Sequence, residues 1–383
     1  MIKSILKVVI ILSILFGLSS CKEGSDEMQL STDYKKQNPI EVKYAQGFSV
    51  DTITGGLQRI IITDLSISKE VATYVLVPKG SDYHPKDYEE VVYTPIDNIG
   101  VLSSSYIGFF EALSRINNVV VIENHTFIYN EKLGKRHAEG LVTEVGSNGQ
   151  INLEKLVINS PEVVFTSVFN GGLSDELKKA KDAGIVSVQC SEWQEHHPLA
   201  RAEWIKLFGA LTDQEETADS LFKVIETNYL SIMNTCGGQT SMPKVLFSAM
   251  YQDVWYVPGG RSYIAQILKY VNGTFAWADN YQVGSLQLSF ENVAAQSLQN
   301  DVWIDPEVNS IDELLSRDPR YQNFVNNSSS GIFQQNARMN NAGGNDYWES
   351  GVVRADWVLQ DFGKMIHPEL FENATFTYFK QLK

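Results

Sequence analysis

The sequence predicts an α/β fold of two similar lobes joined by one long helix, and three observations indicate this fold. From residue 98 onward, short β-branched runs alternate with amphipathic helical patterns, which is typical of a largely parallel sheet covered by helices. Residues 213–235 keep a helical period without any Pro or Gly, which predicts a single rigid connection. After Gly237-Gly238 and Pro243 the alternation of strand and helix patterns begins again.

Composition limits the classes of function. The chain has 383 residues, of which 43% are hydrophobic and 20% are charged, so it is long enough for two packed cores and too apolar for a disordered protein. Its formal net charge is −15, which argues against nucleic acid as the main partner because a phosphate backbone selects basic surfaces. Aromatic residues reach 11% of the chain, a content compatible with a ligand-binding cleft.

Residues 1–20 have the pattern of a lipoprotein signal peptide. Lys3 and Lys7 precede an apolar stretch at 8–18, and two serines stand directly before Cys21. This pattern resembles the bacterial lipoprotein box, which implies cleavage before Cys21 and attachment of lipid to its thiol. The alternative is an ordinary secretory signal with a chance Cys.

The residues that follow Cys21 predict a membrane-anchored protein. Residues 21–40 are polar and charged and predict a tether, and no later segment has eighteen apolar residues in a row. We therefore expect a periplasmic protein attached to the membrane by lipid. The acidic stretch at 22–27 resembles the surface-export signal of some Bacteroidetes lipoproteins, which leaves exposure on the cell surface as an alternative.

The N-terminal lobe is predicted to span residues 41–212. Its leading part, 42–92, predicts antiparallel strands added at a sheet edge. Alternating strands and helices are then expected at 98–102 (strand), 105–114 (helix), 119–122 (strand), 152–159 (helix), 163–166 (strand), 174–183 (helix) and 186–189 (strand). A further helix is predicted at 198–209, directly before the connecting helix at 213–236.

The C-terminal lobe is predicted to span residues 237–383 and to repeat the same kinds of element. The expected elements are a strand at 245–249, helices at 263–270 and 290–297, strands at 302–304 and 331–333, and a closing helix at 348–365.

No common catalytic signature is present in the sequence. It has no nucleophile elbow, phosphate-binding loop, dinucleotide fingerprint or zinc-protease helix, so we expect neither an enzyme nor a resident cofactor. The only histidine cluster is His196-His197, and neighbouring side chains diverge, so no metal site is predicted. Cys190 and Cys236 could form one disulfide or remain buried thiols.

One sequence pattern occurs once in each lobe. Asn152-Leu153-Glu154 and Ser289-Phe290-Glu291 each place a helix-capping residue, an apolar residue and a Glu before a predicted strand. Local physics explains both, because a carboxylate in the first helical turn gains ~0.3–1 kcal/mol from the helix dipole. Equivalent positions in two lobes would also present two carboxylates to the cations of a two-fold partner.

Several stretches, in this order, resemble the class III periplasmic substrate-binding proteins, the two-lobed proteins that deliver iron chelates and cobalamin to ABC importers. The matching stretches are NLE (152–154) with PEVV (161–164), RAEWI (201–205), VPGGRSY (257–263), LSFE (288–291), DVW (301–303), LQDF (359–362) and HPELF (367–371). The resemblance implies two Rossmann-like lobes joined by one long rigid helix. It also implies that Glu154 and Glu291 dock on arginines of the permease dimer.

The same resemblance implies a ligand pocket between the lobes, at the loops that follow the strands. The candidate ligand contacts are Ser105, Phe169, Trp193, Trp255, Arg261, Trp277, Arg338, Tyr347 and Trp348. Aromatic faces suit a macrocycle or a catecholate, and arginines suit an anionic ferric chelate.

The identity of the ligand is the remaining question. Cobalamin binders of this class often carry a Trp where this sequence has Ser167. The leading interpretation is therefore an iron chelate, either a siderophore or haem, and cobalamin is the alternative. A zinc or manganese receptor and a surface hydrolase have less support.

Overall fold

The computed structural model describes residues 40–83, 90–147, 150–169 and 172–383. The predicted signal peptide and Cys21 lie outside these residues. Within them, no helix is both long and apolar enough to cross a membrane.

A four-stranded sheet begins the described chain. Its strands, in spatial order, are β1 (Phe48–Thr52), β2 (Gln58–Asp64), β3 (Lys69–Pro78) and β4 (Glu90–Thr94). The first three strands pair antiparallel, as predicted, but β4 runs parallel to β3. The predicted addition of these strands to the edge of the main sheet is wrong. The sheet is separate and meets the N-terminal lobe where the Tyr74 hydroxyl donates to the Ser187 carbonyl at 2.8 Å.

The N-terminal lobe contains a five-stranded parallel sheet of order β11-β10-β5-β6-β7. Its strands are β5 (Ile99–Val101), β6 (Val119–Ile122), β7 (Thr143–Glu144), β10 (Val163–Ser167) and β11 (Val186–Cys190), and a small hairpin of β8 (Gly146–Ser147) and β9 (Gln150–Ile151) lies between β7 and β10. The helices are α1 (Ser104–Ala112), α2 (Glu131–Ala138), α3 (Leu153–Asn159), α4 (Asp175–Asp182), α5 (Pro198–Glu203) and α6 (Ile205–Leu211). The alternation predicted from the sequence is confirmed, although the helix predicted at 198–209 is divided at Trp204.

Helix α7 (Glu215–Gly237) joins the lobes. Its buried residues recur at helical spacing, and the helix packs on α6 of the N-terminal lobe and on α13 (Ala355–Ile366) of the C-terminal lobe. The Asn228 amide donates to the Asp356 carboxylate at 3.0 Å, which adds a polar contact on the C-terminal side. Because bending α7 would expose this packed face, the helix acts as a rigid connection.

The C-terminal lobe contains three parallel strands, β12 (Val245–Phe247), β16 (Val302–Ile304) and β17 (Gly331–Gln334), with β18 (Lys380–Gln381) antiparallel at the edge. A second sheet is formed by β13 (Met250–Tyr251), β14 (Val254–Pro258) and β15 (Ser285–Leu288). The remaining helices are α8 (Tyr263–Tyr270), α9 (Phe290–Ser297), α10 (Ile311–Arg317), α11 (Gln322–Asn327) and α12 (Ser350–Val353).

The structure decides two further expectations, one about the closing helix and one about the two cysteines. The predicted closing helix is broken at Arg354, whose guanidinium pairs with Asp356 at 2.7 Å and lies 3.7 Å from the Trp357 ring centroid. Cys190 and Cys236 are both buried free thiols, at the end of β11 and near the end of α7. The disulfide alternative therefore falls away.

The lobes also meet at a second seam, formed by Glu349 and the segment that precedes it. The Glu349 carboxylate accepts hydrogen bonds from the backbone of Tyr129 and Asn130 in the N-terminal lobe. A Cβ added at Gly108 of α1 would come within 2.1 Å of the Glu349 carbonyl oxygen, so the backbone of α1 and the backbone at Glu349 approach closely there. Burial raises the pKa of Glu349 to about 8, although the backbone hydrogen bonds oppose that rise.

Glu349 predicts a loss of stability as the pH rises. In the unfolded chain this carboxyl gives up its proton near its ordinary pKa of 4.5, whereas in the folded protein it keeps the proton up to about pH 8. Its contribution to stability is therefore fully present below pH 4.5 and is lost as the pH rises through about 8. We expect the melting temperature to fall between pH 6.5 and 9, and we expect Glu349→Gln to flatten that fall.

The buried carboxyls Asp305 and Asp361 contribute little to the change in melting temperature above pH 6.5, because burial raises their pKa values only to about 6. Melting followed by circular dichroism at several pH values checks the expectation. Equal slopes for the wild type and Glu349→Gln above pH 6.5 would contradict it.

Candidate functional site

Two hollows are candidate binding sites: the first is lined by the N-terminal lobe alone, and the second is lined by both lobes. The first, of about 460 Å³, is formed at the carboxyl ends of β5, β6 and β10. Its polar lining includes Ser103, Ser104 and Ser167, and the Ser103 hydroxyl caps α1 by accepting from the Ser105 backbone at 3.3 Å. The second, of about 620 Å³, is lined from the N-terminal lobe by 193–196 and from the C-terminal lobe by Pro258, 262–264 and 283–285.

An aromatic pair lies between the two hollows. Phe169 lines the first hollow and Trp193 lines the second, and their ring centroids are 5.2 Å apart. The side chains are large and exposed, at 61% for Phe169 and 44% for Trp193. Exposed aromatic rings that face a concave surface favour a ligand with flat apolar faces. We refer to the two hollows together as the cleft.

Of three further aromatic residues near the cleft in the chain, Phe127 is among its described lining residues, whereas Tyr347 and Trp348 are not. Phe127 lines the first hollow and is 62% exposed. Trp348 is 45% exposed and precedes Glu349, which bonds to the backbone just beyond the cleft residue Ile128. Tyr347 is buried and packs edge-on against the Trp348 ring, with centroids 4.8 Å apart. Tyr347 therefore supports Trp348 and offers little surface to a ligand.

The cleft has an anionic rather than a cationic lining. Glu123 and Glu195 line it, and its described lining residues include no Lys or Arg. Burial raises the pKa of both carboxyls, and Glu195 is held in place because it accepts from the Gly47 backbone at 2.8 Å and from the Trp204 indole at 3.0 Å. A strongly anionic ligand would meet no exposed cation here.

A buried polar group lies beside the cleft and escaped the sequence analysis. Arg201 of α5 lies 4.0 Å from the Glu192 carboxylate and 5.8 Å from the ring centroid of the cleft residue Tyr263. The Arg201 Nε and one Glu192 oxygen have no hydrogen-bond partner among the described residues. The signal that could have revealed the group is the presence of three charged residues, Arg201, Glu203 and Lys206, in the otherwise mostly apolar helices at 198–211.

Trp255 belongs to the core of the C-terminal lobe, so its assignment as a ligand contact is wrong. Its side chain is fully buried, and its indole nitrogen donates to the Phe247 carbonyl at 2.8 Å. The ring packs against Trp303, with centroids 6.1 Å apart. The strand β14 turns Trp255 inward and leaves its neighbour Tyr256 exposed.

Three other candidates lie away from the cleft lining. Arg261 covers the Tyr281 ring at 4.6 Å and lines a separate hollow of about 570 Å³ in the C-terminal lobe. Trp277 directly precedes Ala278, which lines this hollow, and the Trp277 side chain is partly buried against the core. Ser105 is buried within α1, and it is Ser103 and Ser104 that line the cleft.

Arg338 is already paired within the protein. It bonds to Asp346 at 2.7 Å and lies 5.7 Å from the Tyr129 ring centroid at the second seam. The arrangement connects the lobes, so Arg338 is not a free cation for a ligand carboxylate.

The two glutamates predicted to dock on a permease lie in matching local structures. Glu154 is exposed in the first turn of α3, where the Asn152 side chain accepts from the Lys155 backbone at 2.9 Å. Glu291 is exposed in the first turn of α9, where Ser289 caps the helix, and it lies 3.9 Å from Arg320. Their accessibility suits docking, and the role itself stays a prediction.

The two adjacent histidines have separate surroundings. His196 lines the cleft, whereas the His197 ring caps α5 by accepting from the Leu199 backbone at 3.1 Å. Burial lowers the pKa of His197.

Comparison with known proteins identifies the family. A family model described as periplasmic binding protein matches residues 99–325. The chain belongs to the periplasmic binding protein family. The match confirms the resemblance to class III proteins and the two-lobed α/β fold predicted from the sequence.

Individual relatives agree with this family. The chain is 29% identical over 314 residues to an uncharacterised lipoprotein of Methanocaldococcus jannaschii. The aligned region covers 79% of this chain and 73% of that protein. Among solved structures, a possible iron-binding periplasmic protein from Staphylococcus epidermidis has a TM-score of 0.53 at 18% identity, covering 72% of this chain and 100% of that one. A periplasmic heme-binding protein from Roseiflexus sp. RS-1 has the same TM-score and identity, covering 72% and 99%. These two likenesses show a shared fold.

Proposed function

We propose that the protein is the substrate-binding lipoprotein of an ABC importer and that it captures an iron chelate, a siderophore or haem, in the cleft. The observation that carries the proposal is the aromatic cleft between the lobes, with Phe127, Phe169 and Trp193 exposed on its N-terminal side. A family of solute-binding proteins and a lipoprotein relative support the delivery role. The chelate is cargo in this account, and the protein performs no catalysis.

The charge of the lining narrows the class of chelate. Arginines in the pocket would have suited an anionic chelate, but Arg261 and Arg338 stack or pair elsewhere. With Glu123 and Glu195 in the lining, a neutral or cationic complex is the better electrostatic match. Among iron chelates this favours hydroxamate-type siderophores over haem, whose propionates are anionic.

Cobalamin remains the second candidate, and the same observations favour it. A corrin ring presents flat apolar faces to the aromatic walls and brings no strong negative charge to the carboxylates of the lining.

The cleft is largely formed before ligand binding in this account. Helix α7 packs on both lobes, and Glu349 connects them at a second seam. A structure held at two places resists hinge closure, so binding should change the radius of gyration only slightly.

A fluorescence titration tests the proposed function. Trp193 and Trp348 are partly exposed, so a coloured chelate in the cleft quenches them. The panel comprises a cationic ferric hydroxamate, an anionic ferric catecholate, haem and cyanocobalamin. We expect saturable quenching by the ferric hydroxamate. Saturation by cyanocobalamin alone would transfer the function to the second candidate, and no saturation by any compound would remove the proposal.

Lipid anchoring gives the next prediction. Cys21→Ala should yield a soluble protein or an unprocessed precursor, because the polar tether has no membrane affinity of its own. Fractionation of membranes checks this. A correctly processed variant that still sediments with membranes would contradict the lipoprotein assignment.

Permease docking gives a prediction that separates transport from binding. Glu154→Ala and Glu291→Ala should leave ligand affinity unchanged and slow uptake into vesicles, with the double variant the slowest. Exposed ion pairs act mainly on encounter rate and orientation, so added salt should slow wild-type uptake toward the rate of the double variant.

Asp312→Ala is the matched control for docking, because Asp312 is also exposed in the first turn of a capped helix, α10. Wild-type uptake by the double variant would rule out the docking role. So would an equal loss of uptake in Asp312→Ala.

A further inference from the structure

A cluster of three metal-ligating side chains lies at the edge of the N-terminal sheet. His125 follows β6, His137 is in the last turn of α2, and Glu144 ends β7. One ligand atom from each residue lies within 4.8 Å of the other two. Three separate elements of the fold therefore bring these side chains to one point.

The polar contacts of the cluster leave ring nitrogens available. The Nδ1 of His125 is hydrogen-bonded to the Glu144 carboxylate, so these two atoms already face each other, and an ion bound by both would take the place of the proton they share. The ring of His137 stacks on that of His125, with centroids 4.9 Å apart, and has no hydrogen-bond partner among the described residues. Burial alone would raise the pKa of Glu144, but the hydrogen bonds and charge of His125 bring it below its ordinary value.

We propose that His125, His137 and Glu144 bind one divalent transition-metal ion of the zinc class. Two imidazoles and a carboxylate form a donor set that zinc accepts, with water in the fourth position. Ligand atoms at ~2.0–2.1 Å from a tetrahedral ion are ~3.4 Å apart. The His125–Glu144 pair would therefore open slightly and His137 would move closer, which is a modest rearrangement of atoms that already lie within 4.8 Å of one another. The nearly parallel rings must turn so that both planes meet the ion, and the exposed His125 and half-exposed His137 are free to do so.

The site is distinct from the cleft but connected to it along the chain. His125 begins the short 3₁₀ turn His125–Phe127, and Phe127 lines the cleft. An ion held between this turn, α2 and β7 would fix the turn to the edge of the sheet. The proposal does not depend on which chelate the cleft binds.

Isothermal titration of the untagged, chelator-treated protein with Zn²⁺ tests the site. We expect one ion per chain for the wild type. We expect His125→Ala and His137→Ala each to weaken binding by at least ~10-fold, which is the smallest loss usual for a disturbed metal site. His137→Ala is the sharper variant, because it removes a half-exposed helical side chain that makes no hydrogen bond in the described structure.

Glu139→Gln is the matched control, because it removes the charge of a carboxylate at the end of the same helix. Among the described residues this carboxylate pairs only with Lys135, at 3.8 Å. It should bind zinc as the wild type does. A visible spectrum of the Co²⁺-loaded protein, with the intensity of four-coordination, would support the site independently. No saturable zinc binding, or equal affinity in the wild type and His137→Ala, would overturn the proposal.

Discussion

Trp255→Ala is expected to destabilise the protein by about 3–5 kcal/mol, the usual cost of removing a fully buried large aromatic ring. The ring is fully buried among Trp303, Tyr321 and Phe324, whose centroids lie within 6.1 Å of its own. The substitution also leaves the Phe247 carbonyl without its indole donor. We expect the folded fraction of the variant to bind ligand as the wild type does, because Trp255 does not line the cleft.

Urea unfolding and a ligand titration on the same samples check both halves of this prediction. Trp255→Phe, which keeps an aromatic ring but not the indole donor, should lose less stability than Trp255→Ala. A Trp255→Ala variant with wild-type stability and no ligand affinity would contradict this prediction and show that Trp255 contacts the ligand.

Trp193→Ala is expected to weaken ligand binding by about 2 kcal/mol, or roughly 30-fold, the size of an interface hot spot. Trp193 lines the second hollow and packs against Phe169 of the first, and its partly exposed ring is available to pack on a flat ligand. Phe169→Ala should have a smaller effect in the same direction, because its ring buries less area. The double variant should be less than additive, since the two rings support each other.

Tyr281→Ala is the control for the cleft aromatics. Tyr281 is 77% exposed and covers Arg261 beside the separate hollow of the C-terminal lobe. It should leave affinity unchanged in a titration monitored by ligand absorbance, which does not depend on Trp emission. Equal losses in Tyr281→Ala and Trp193→Ala would move the binding site out of the cleft.

Local sequence signals predicted most of the two parallel sheets. The run Val119–Ile122 is apolar at every position, which requires cover on both sheet faces, and it is a strand in the structure with those bounds. The sheet of β13, β14 and β15 was not predicted, because β13 has two residues and β15 follows a long interval in the chain. Their pairing depends on distant contacts that no short window contains.

The site was harder to predict, because partners from distant segments decide which side chains are free. Arg338 and Arg261 looked available in the sequence, but Asp346 and Tyr281 occupy them in the fold. Phe169 and Trp193 follow β10 and β11, and the position after a parallel strand was a sound guide to the cleft.

The cluster of His125, His137 and Glu144 is a site that the sequence analysis missed. Its members lie on three elements at irregular intervals in the chain, so no motif of fixed spacing predicts them.

Native mass spectrometry of the protein isolated from iron-limited cells tests the central claim most directly. Gentle ionisation keeps a chelate in the cleft, and collisional activation then releases it for an accurate mass. The proposed function predicts a bound species with the isotope pattern of iron and the mass of a neutral or cationic siderophore complex. A corrinoid mass, or a protein that carries no small molecule and gains none when siderophore extracts are added, would contradict it.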